Sequence, residues 1–410
     1  MIMKNKVMFI SLLPPSKRAK SGGEQTFSYY FYHFCEDYDI RLITCAKYEN
    51  FNDVESTLSS IDHRIVWWGN PQESKIKKAI NIESRFNPIN RNANLTSNTT
   101  EIKIVEYIND YLATGFTPDV IILEWTEMVV LANRIKKEFP LIPIIASEHD
   151  VTFIGYKRKY HYYHNVSKLL WKYKYWFEKR IEIRALGMCD YVLPHNSDNV
   201  KELLNVGIKK EKIEALVPFY HDMSKITRSS VDNSIIFFGA MNRQENISAV
   251  EWFINSVLPL IEDLDYKFII LGNNPGNVLE HYKNHKIFFT GFVDNIDPYF
   301  EKARCFVAPL LMGAGIKIKV LEALSSGVPV LTNEIGIEGI PAESDKDYFC
   351  CMNAVEYSNV IHELFENSQN GEIIGENGKR CVTQSFAPEL FYEKYKKIIE
   401  QLIIERRSEV

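Results

Sequence analysis

The stretch GAGIKIKVLEALSSGVPVLTN, residues 313–333, places two lysines and a glutamate in an otherwise apolar segment. On an ideal helix, Gly315, Lys319 and Glu322 fall within about 60° of one another. A helix N-terminus offers free N–H groups and about +0.5 charge, so residues 313–316 are expected to receive a phosphate. Lys319 would neutralise that anion, and Glu322 would accept hydrogens from hydroxyl groups. The alternative is an i,i+3 ion pair on a solvent-exposed face, worth a few tenths of a kcal/mol.

Further basic residues and a glycine could extend such a phosphate site. Gly239 is the second-to-last residue of the apolar run 234–240, where a glycine lets the following turn approach a phosphate, and Arg243 comes shortly after it. Lys317 lies about 160° from Lys319 on an ideal helix, so it reaches the same ligand only if the first turn is distorted. Otherwise Lys317 is a surface or packing lysine.

The first half of the chain has its own candidates after predicted strands. Gly22 and Gly23 follow the apolar run 6–13 and begin a helical segment, so their amides can approach a ligand; a flexible turn with helix-capping glycines is the alternative. The stretch ASEHD ends another apolar run, and its ionisable residues are Glu148, His149 and Asp150. Sites gather at the carboxyl ends of strands in parallel sheets, although a lone histidine is more often structural.

The elements that must position these residues alternate along the chain. Continuous apolar runs that predict strands lie at 6–13, 40–45, 119–125, 142–148, 190–195, 234–240, 266–272, 286–292, 305–311 and 328–333. Helical segments between them imply parallel strands buried on both faces. The sequence therefore predicts an α/β protein with two doubly wound, Rossmann-like domains facing across a cleft, over 1–217 and 218–384. A long C-terminal helix, within 385–410, is expected to cross back to the first domain.

Composition narrows the classes of function. The chain has 410 residues and a net charge of -5, so two domains are expected and a general nucleic-acid binder is disfavoured. Seven cysteines without a C-x-x-C pair indicate a reducing compartment, with neither a zinc site nor a disulfide framework. No apolar run approaches the ~20 residues of a membrane span, and the first run is read as a strand, not a signal peptide. These features predict a cytoplasmic protein.

The stretches FFGAMNRQENISAVEWF, FFTGFVDNIDPYF and VAPLLMGAGIKIKVLEALSSGVPVLTNEIGIEGI lie between residues 234 and 340. Together they resemble the carboxyl domain of the retaining, sugar-nucleotide-dependent glycosyltransferases of the GT-B fold (family 4-like, glycosyl transferases group 1). The resemblance implies that the glycine-rich turn, with Gly313 and Gly315, and the following helix hold the donor diphosphate. It also implies that Glu322 binds the ribose. Many members carry another glutamate where this chain has Ala314, which leaves the donor sugar open.

The resemblance assigns further roles. In related enzymes a histidine matching His149 lies near the reacting sugar, and the loop with Gly22 and Gly23 approaches the donor phosphate. A lysine typical of the family near Arg243 is absent, so Lys317 or Lys319 could supply that charge. The reaction implied is front-face attack, in which the leaving phosphate accepts the acceptor's proton. No cofactor, protein base or metal is then required, and charge stabilisation of the diphosphate carries catalysis.

One basic and aromatic stretch points to a partner. Residues 155–184 hold nine Lys or Arg, two Glu and nine aromatic residues. One interpretation is a tyrosine-rich helix pair whose lysines extend their stems along apolar surface. The other is a patch that attaches to an anionic membrane surface through charge and interfacial aromatic residues. Binding of nucleic acid is not expected, because the chain is acidic overall and shows no RNA-binding module.

The sequence thus predicts a cytoplasmic glycosyltransferase, either free or peripheral on the inner face of the membrane. It would move a sugar from a nucleotide sugar to a glycan or lipid-linked acceptor. Polysaccharide or glycolipid synthesis for the cell surface is the expected setting. Three other functions stay open: a nucleotide-sugar epimerase of the same fold, a scaffold subunit without activity, and a membrane or nucleic-acid adaptor.

Overall fold

The structure is a computed structural model that describes residues 4–17, 19, 21–69, 95–164, 167–228, 230–313, 315–386 and 388–409. Ala314, which replaces the first family glutamate, lies outside the described residues. The chain forms two compact units, Met1–Phe219 with Pro388–Val410, and Tyr220–Ala387. Each unit is built around one parallel sheet.

The sheet of the first unit has six strands in the order β3-β2-β1-β4-β5-β6, all parallel. They are β1 Lys6–Ser11, β2 Asp39–Lys47, β3 His63–Trp68, β4 Val120–Glu124, β5 Ile144–Glu148 and β6 Tyr191–Pro194. The order reverses direction between β1 and β4, as in doubly wound sheets, and sites lie at such switch points. A functional site of this unit is therefore expected at the carboxyl ends of β4, β5 and β6.

Nine helices are described in the first unit. They are α1 Gly22–Asp37, α2 Phe51–Leu58, α3 Asn98–Ala113, α4 Thr126–Val129, α5 Ala132–Glu138, α6 Thr152–Tyr162, α7 Ser167–Met188, α8 Ser197–Asn205 and α14 Pro388–Glu409. Two short helices, α4 and α5, lie between β4 and β5. Ser21 caps α1, because its side chain accepts a hydrogen bond from the Glu24 amide at 3.3 Å.

The last helix, α14, packs into the core of the first unit. Tyr395 and Ile399 are fully buried in the same cluster as Phe9 of β1 and Phe34 of α1. The Phe34 and Tyr395 rings meet edge to face, with centroids 5.0 Å apart, an arrangement that aromatic pairs favour. The first unit is thus assembled from both ends of the chain.

The second unit repeats the architecture, with strand order β12-β11-β10-β7-β8-β9, again all parallel. Its strands are β7 Ser234–Phe238, β8 Lys267–Leu271, β9 Ile287–Gly291, β10 Cys305–Ala308, β11 Val330–Thr332 and β12 Phe349–Cys350. Its α-helices are α9 Gln244–Trp252, α10 Asp297–Lys302, α11 Ile318–Ser326, α12 Ala354–Glu366 and α13 Gln369–Ser385. The helix α9 continues as π and 3₁₀ turns to Ile261.

A glycine-lined face of α13 lets this helix approach the end of α11 closely. A Cβ built on Gly375 would lie 2.2 Å from the backbone oxygen of Gly327, which is the residue that ends α11. A Cβ on Gly378 would lie 2.5 Å from the backbone oxygen of Asp347. Only glycine permits backbone contact this close. The face therefore fixes the position of α11, which carries Lys319 and Glu322.

Candidate active site

A buried Glu–His pair lies at the carboxyl ends of neighbouring strands in the first unit. Glu124 ends β4, Ser147 is opposite it on β5, and His149 follows β5. Glu124 Oε2 lies 2.9 Å from His149 Nε2, and the two side chains are 3% and 6% exposed. Burial raises the pKa of Glu124 to about 8, opposed by the Ser147 hydroxyl, and burial lowers the pKa of His149 to about 3. Both effects have the same cause, because burial disfavours each charged form.

The residue next to Glu124 holds the histidine ring in place. Trp125 stacks on His149, with ring centroids 4.4 Å apart and an interplanar angle of 13°. Its backbone has φ 71°, which is unfavourable for a bulky residue and is typical of functional sites. A Cβ on Gly23 would lie 3.4 Å from both His149 Nδ1 and Trp125 Nε1. The structure thus brings Gly23, at the start of α1, beside His149.

A second buried histidine completes this cluster. The ring of His195, which follows β6, lies 4.2 Å from that of His149, and its Nε2 lies 3.1 Å from the Ser147 hydroxyl. Burial, and then proximity to His149, lower its pKa well below the usual value. His195 is therefore neutral near pH 7.

Glu148, the last residue of β5, has different partners from His149, which follows the strand. The Thr126 hydroxyl donates to Glu148 Oε2 at 2.6 Å, and burial, followed by the Glu182 charge, raises the Glu148 pKa well above its usual value. Glu182 in turn accepts the amides of Thr152 and Phe153 and so caps α6. Asp150 is exposed, and its backbone oxygen accepts from Thr126. These contacts join Glu148 to Thr126 and to the start of α6, and a catalytic role for Glu148 or Asp150 stays a prediction.

In the second unit, the glycine-rich turn precedes α11 as a loop of its own. Gly313 and Gly315 have φ +129° and +78°, and α11 begins at Ile318. The expected helix start at residues 313–316 is therefore wrong, because left-handed glycines cannot continue a right-handed helix. The free amides of α11 lie a few residues later, and the two glycines shape the loop in front of them.

Lys317 folds back over this loop instead of lying on the helix. It precedes α11 with φ -88° and ψ 95°. Its Nζ contacts the backbone oxygen of Gly315 and lies 3.3 Å from Glu338 Oε2. A Cβ on Gly313 would lie 3.3 Å from Lys317 Cε. The backbone before α11 is thus distorted from helical geometry, and this distortion brings Lys317 to the glycine loop.

Lys319 points to the end of β7. Its Nζ donates to Asn246 Oδ1 of α9 and lies 4.6 Å from the centre of the Phe237 ring. A Cβ on Gly239 would lie 2.9 Å from this nitrogen, so the glycine makes room for it. Burial, and then the positive charges of Arg243 and Lys317, lower the Lys319 pKa to about 7. Three basic side chains therefore lie close enough to act on one another, and the charges of Glu245 and Glu322 only partly offset this effect at Lys319.

Glu322 lies one turn further along α11. It is 5% exposed, and the backbone N–H of His221 donates to its Oε1 at 3.3 Å. Burial raises its pKa to about 8, opposed by that hydrogen bond and by Lys319. Lys319 and Glu322 thus share a site, but they are not an ion pair on a solvent-exposed face. This geometry favours the ligand-binding interpretation of the polar stripe.

Several residues of these two clusters were not predicted from the sequence. Glu124 ends an apolar strand in the same way as ASEHD, so the same pattern could have identified it. Trp125 and His195 are the last residues of the predicted strands 119–125 and 190–195, follow the observed strands β4 and β6, and carry no motif. Glu338 lies in a segment that resembles the family, and only its contact with Lys317 indicates a role.

Comparisons with known proteins agree with this architecture. Residues 232–367 match the family described as glycosyl transferases group 1. The chain is 26% identical over 300 residues to an uncharacterized glycosyltransferase of Methanocaldococcus jannaschii, covering 65% of this chain and 70% of that one. It is 28% identical over 185 residues to an uncharacterized 44.6 kDa protein in the cps region of Klebsiella pneumoniae. That match spans 42% of this chain and 47% of the relative.

Solved structures match the whole fold. HepE of Anabaena, solved in complex with UDP, has a TM-score of 0.66 at 11% identity, covering 97% of this chain and 100% of that one. Sucrose-phosphate synthase of Thermosynechococcus elongatus has a TM-score of 0.72 at 14% identity, covering 98% and 100%. These likenesses confirm the predicted GT-B fold. The family match covers only the part of the second unit between residues 232 and 367.

Proposed function

We propose that the protein is a retaining glycosyltransferase that moves a sugar from a nucleoside-diphosphate sugar to a glycan or lipid-linked acceptor. The observation that carries this proposal is the group of three basic side chains, Arg243, Lys317 and Lys319, around the glycine loop and Gly239. Burial is the first cause of the lowered pKa of Lys319, and repulsion from Arg243 and Lys317 lowers it further. A bound diphosphate would remove that repulsion.

The same residues suggest how the reaction would proceed. The bond from the anomeric carbon to the diphosphate breaks, a bond to the acceptor oxygen forms, and the acceptor's proton passes to the leaving diphosphate. Lys319, Lys317 and Arg243 would stabilise the charge that develops on the leaving group. Glu322 would accept a hydrogen from a ribose hydroxyl. Since these side chains can neutralise the diphosphate, we propose that transfer needs neither a metal ion nor a cofactor.

The setting proposed is synthesis of a cell-surface polysaccharide or glycolipid. The Klebsiella relative supports it, because that protein is described as part of a cps region.

We expect free nucleoside diphosphate to be released from one member of a panel of nucleotide sugars, and the release to rise strongly when an acceptor lipid or glycan is added. The reason is that positioning of the acceptor hydroxyl is required for bond cleavage. EDTA should leave the rate unchanged. Conversion of the donor without a second sugar would indicate an epimerase. Absence of donor binding would indicate a scaffold and would contradict the proposal.

We further propose that the α6–α7 pair attaches the protein to an anionic membrane surface. Several lysines of this pair lie over aromatic rings, such as Lys174 at 4.9 Å from the Trp171 ring and Lys168 at 5.5 Å from the Tyr160 ring. This agrees with the helix-pair interpretation. On α7, however, an exposed apolar face remains, which consists of Leu169, Leu170, Tyr173 and Trp176. In the described part of the chain, no helix is long and apolar enough to cross a membrane.

The exposed face of α7 should carry membrane binding together with neighbouring charge. Trp176 is 65% exposed and Leu169 is 70% exposed, and Lys157, Lys172 and Arg180 are exposed on the same helix pair. We expect the protein to co-sediment with anionic vesicles and to dissociate as salt rises, since each basic residue contributes roughly 1 kcal/mol near such a surface. Replacing Leu169, Tyr173 and Trp176 by serine should abolish co-sedimentation.

A matched control is Ile404→Ser, because Ile404 is 67% exposed on α14 of the same unit. It should leave vesicle binding unchanged. Equal binding to neutral and anionic vesicles, or no loss in the triple variant, would contradict the membrane proposal.

A further inference from the structure

The Glu124–His149 pair leaves one ring nitrogen of the histidine available to a ligand. His149 Nε2 is occupied by Glu124, whereas Nδ1 has no hydrogen-bond partner among the described residues. A Cβ on Gly23 would lie 3.4 Å from Nδ1 and from Trp125 Nε1, so both nitrogens point toward the first turn of α1. Gly23 is only half-buried. A ligand oxygen can therefore reach this position.

We propose that Glu124 is a positioning residue that keeps a proton on His149 Nδ1, so that this N–H donates to a ligand oxygen beside Gly23. The indole N–H of Trp125 would be a second donor to the same oxygen. Free amides at the start of α1 add a favourable dipole there. The oxygen would belong to a hydroxyl or phosphate group of a sugar substrate, and this part of the inference rests on the proposed function.

The number of protons on the Glu124–His149 pair determines whether Nδ1 is protonated. When the pair holds two exchangeable protons, it is a carboxylic acid with a neutral imidazole or a carboxylate with an imidazolium. In both forms Nδ1 carries one proton, because the other proton lies in the hydrogen bond between Glu124 and His149 Nε2. When the pair holds one proton, Nε2–H donates to the carboxylate and Nδ1 is a bare acceptor. Glu124 therefore decides whether Nδ1 donates or accepts.

The surroundings favour the two-proton state at neutral pH. Glu124 and His149 are both nearly inaccessible, and burial raises the Glu124 pKa to about 8. The ionisable side chains facing the pair are His195 after β6, Tyr30 of α1 and Tyr395 of α14. Burial raises the pKa of both tyrosines, and the charge of Glu124 is among the charges that raise it further. Burial also keeps His195 neutral. Among the described residues, the Glu124 carboxylate thus has no cationic partner.

The sign of the pH dependence is then fixed. The raised pKa means that Glu124 keeps its proton below about pH 8 and loses it as the pH rises through that value. Nδ1–H should accordingly donate at neutral pH and disappear above about pH 8. If the donated hydrogen bond is needed for transfer, turnover should fall about tenfold for each pH unit beyond that point.

NMR of the protein labelled with ¹⁵N-histidine tests the inference without any substrate. The ¹⁵N shifts distinguish a protonated from a bare Nδ1, and His149→Gln identifies the resonance among the ten histidines. We expect Nδ1 to be protonated at pH 7 and to lose its proton near pH 8. In Glu124→Gln the amide does not titrate, so this transition should vanish, and the turnover profile should lose its alkaline fall.

Glu55→Gln is a matched control, because Glu55 lies 3.3 Å from His63 in a more exposed Glu–His pair of the same unit. It should leave the His149 transition in place. A bare Nδ1 at pH 7 in the unaltered protein, or an unchanged transition in Glu124→Gln, would overturn the inference. Because the NMR needs no donor, a protein without transferase activity would contradict the proposed function while the histidine transition persisted.

Discussion

Lys319→Met should weaken binding of a nucleoside diphosphate by roughly 10- to 150-fold, which corresponds to a loss of about 1.5–3 kcal/mol for a charge-assisted contact. Methionine retains an unbranched apolar side chain near the Phe237 ring, so packing is largely preserved. Only the charge and its hydrogen bond to Asn246 are removed. Isothermal titration with UDP, GDP and ADP measures the affinity, and thermal unfolding checks that the fold is intact.

The control for this prediction is Lys302→Met, because Lys302 is an exposed lysine of the same unit, at the end of α10. Affinity should be unchanged there. The pH provides a second test: since burial and neighbouring charges lower the Lys319 pKa to about 7, affinity in the unaltered protein should decrease as the pH rises through and above 7. Equal affinity in Lys319→Met and the unaltered protein would remove Lys319 from the donor site.

Gly375→Ala should lower the free energy of unfolding of the second unit by about 2–3 kcal/mol. The added methyl group would lie 2.2 Å from the Gly327 backbone oxygen and 3.4 Å from the Pro329 nitrogen. Backbone atoms cannot move aside as a flexible side chain does, so α13 must shift away from the end of α11. Because α11 carries Lys319 and Glu322, donor affinity should fall together with stability. Urea unfolding followed by circular dichroism measures the change.

Gly187→Ala is the matched comparison, since Gly187 is also helical, in α7, and a Cβ there would meet nothing within 4 Å. Alanine favours the helix, so this variant should be stabilised by about 0.4–1 kcal/mol. If both variants changed stability equally, close contact at Gly375 would not be the cause.

The sheets were predictable because their strands are continuous apolar runs between helical segments. Edge strands were harder: β3 is only partly buried along its length and β12 has two residues, so neither forms a long apolar run. Strand order was also needed to find the Glu124–His149 pair. Glu124 and His149 lie at the ends of two different strands, and only the pairing of β4 with β5 brings them together.

For the candidate site of the second unit, the sequence indicated the residues but not their local geometry. Gly239, Lys319 and Asn246 are close in space, yet their contacts depend on how α9 and α11 pack, which periodicity does not specify. The direction of the Lys317 side chain depends on the backbone of Gly313 and Gly315. Glycine permits the positive φ angles found there, but the residue type alone does not predict them. A helical projection applied through these glycines therefore misplaced the helix start.

The position of α14 has a consequence for synthesis on the ribosome. Tyr395 and Ile399, which fill the core of the first unit, leave the ribosome after the whole of the second unit has been made. At about 5–20 residues per second, the nascent first unit must wait many seconds with Phe9 and Phe34 incompletely covered. The second unit, whose residues are contiguous, can complete its own core earlier. The first unit is thus translated first but completes its folding last. We therefore expect a chaperone to bind it during translation.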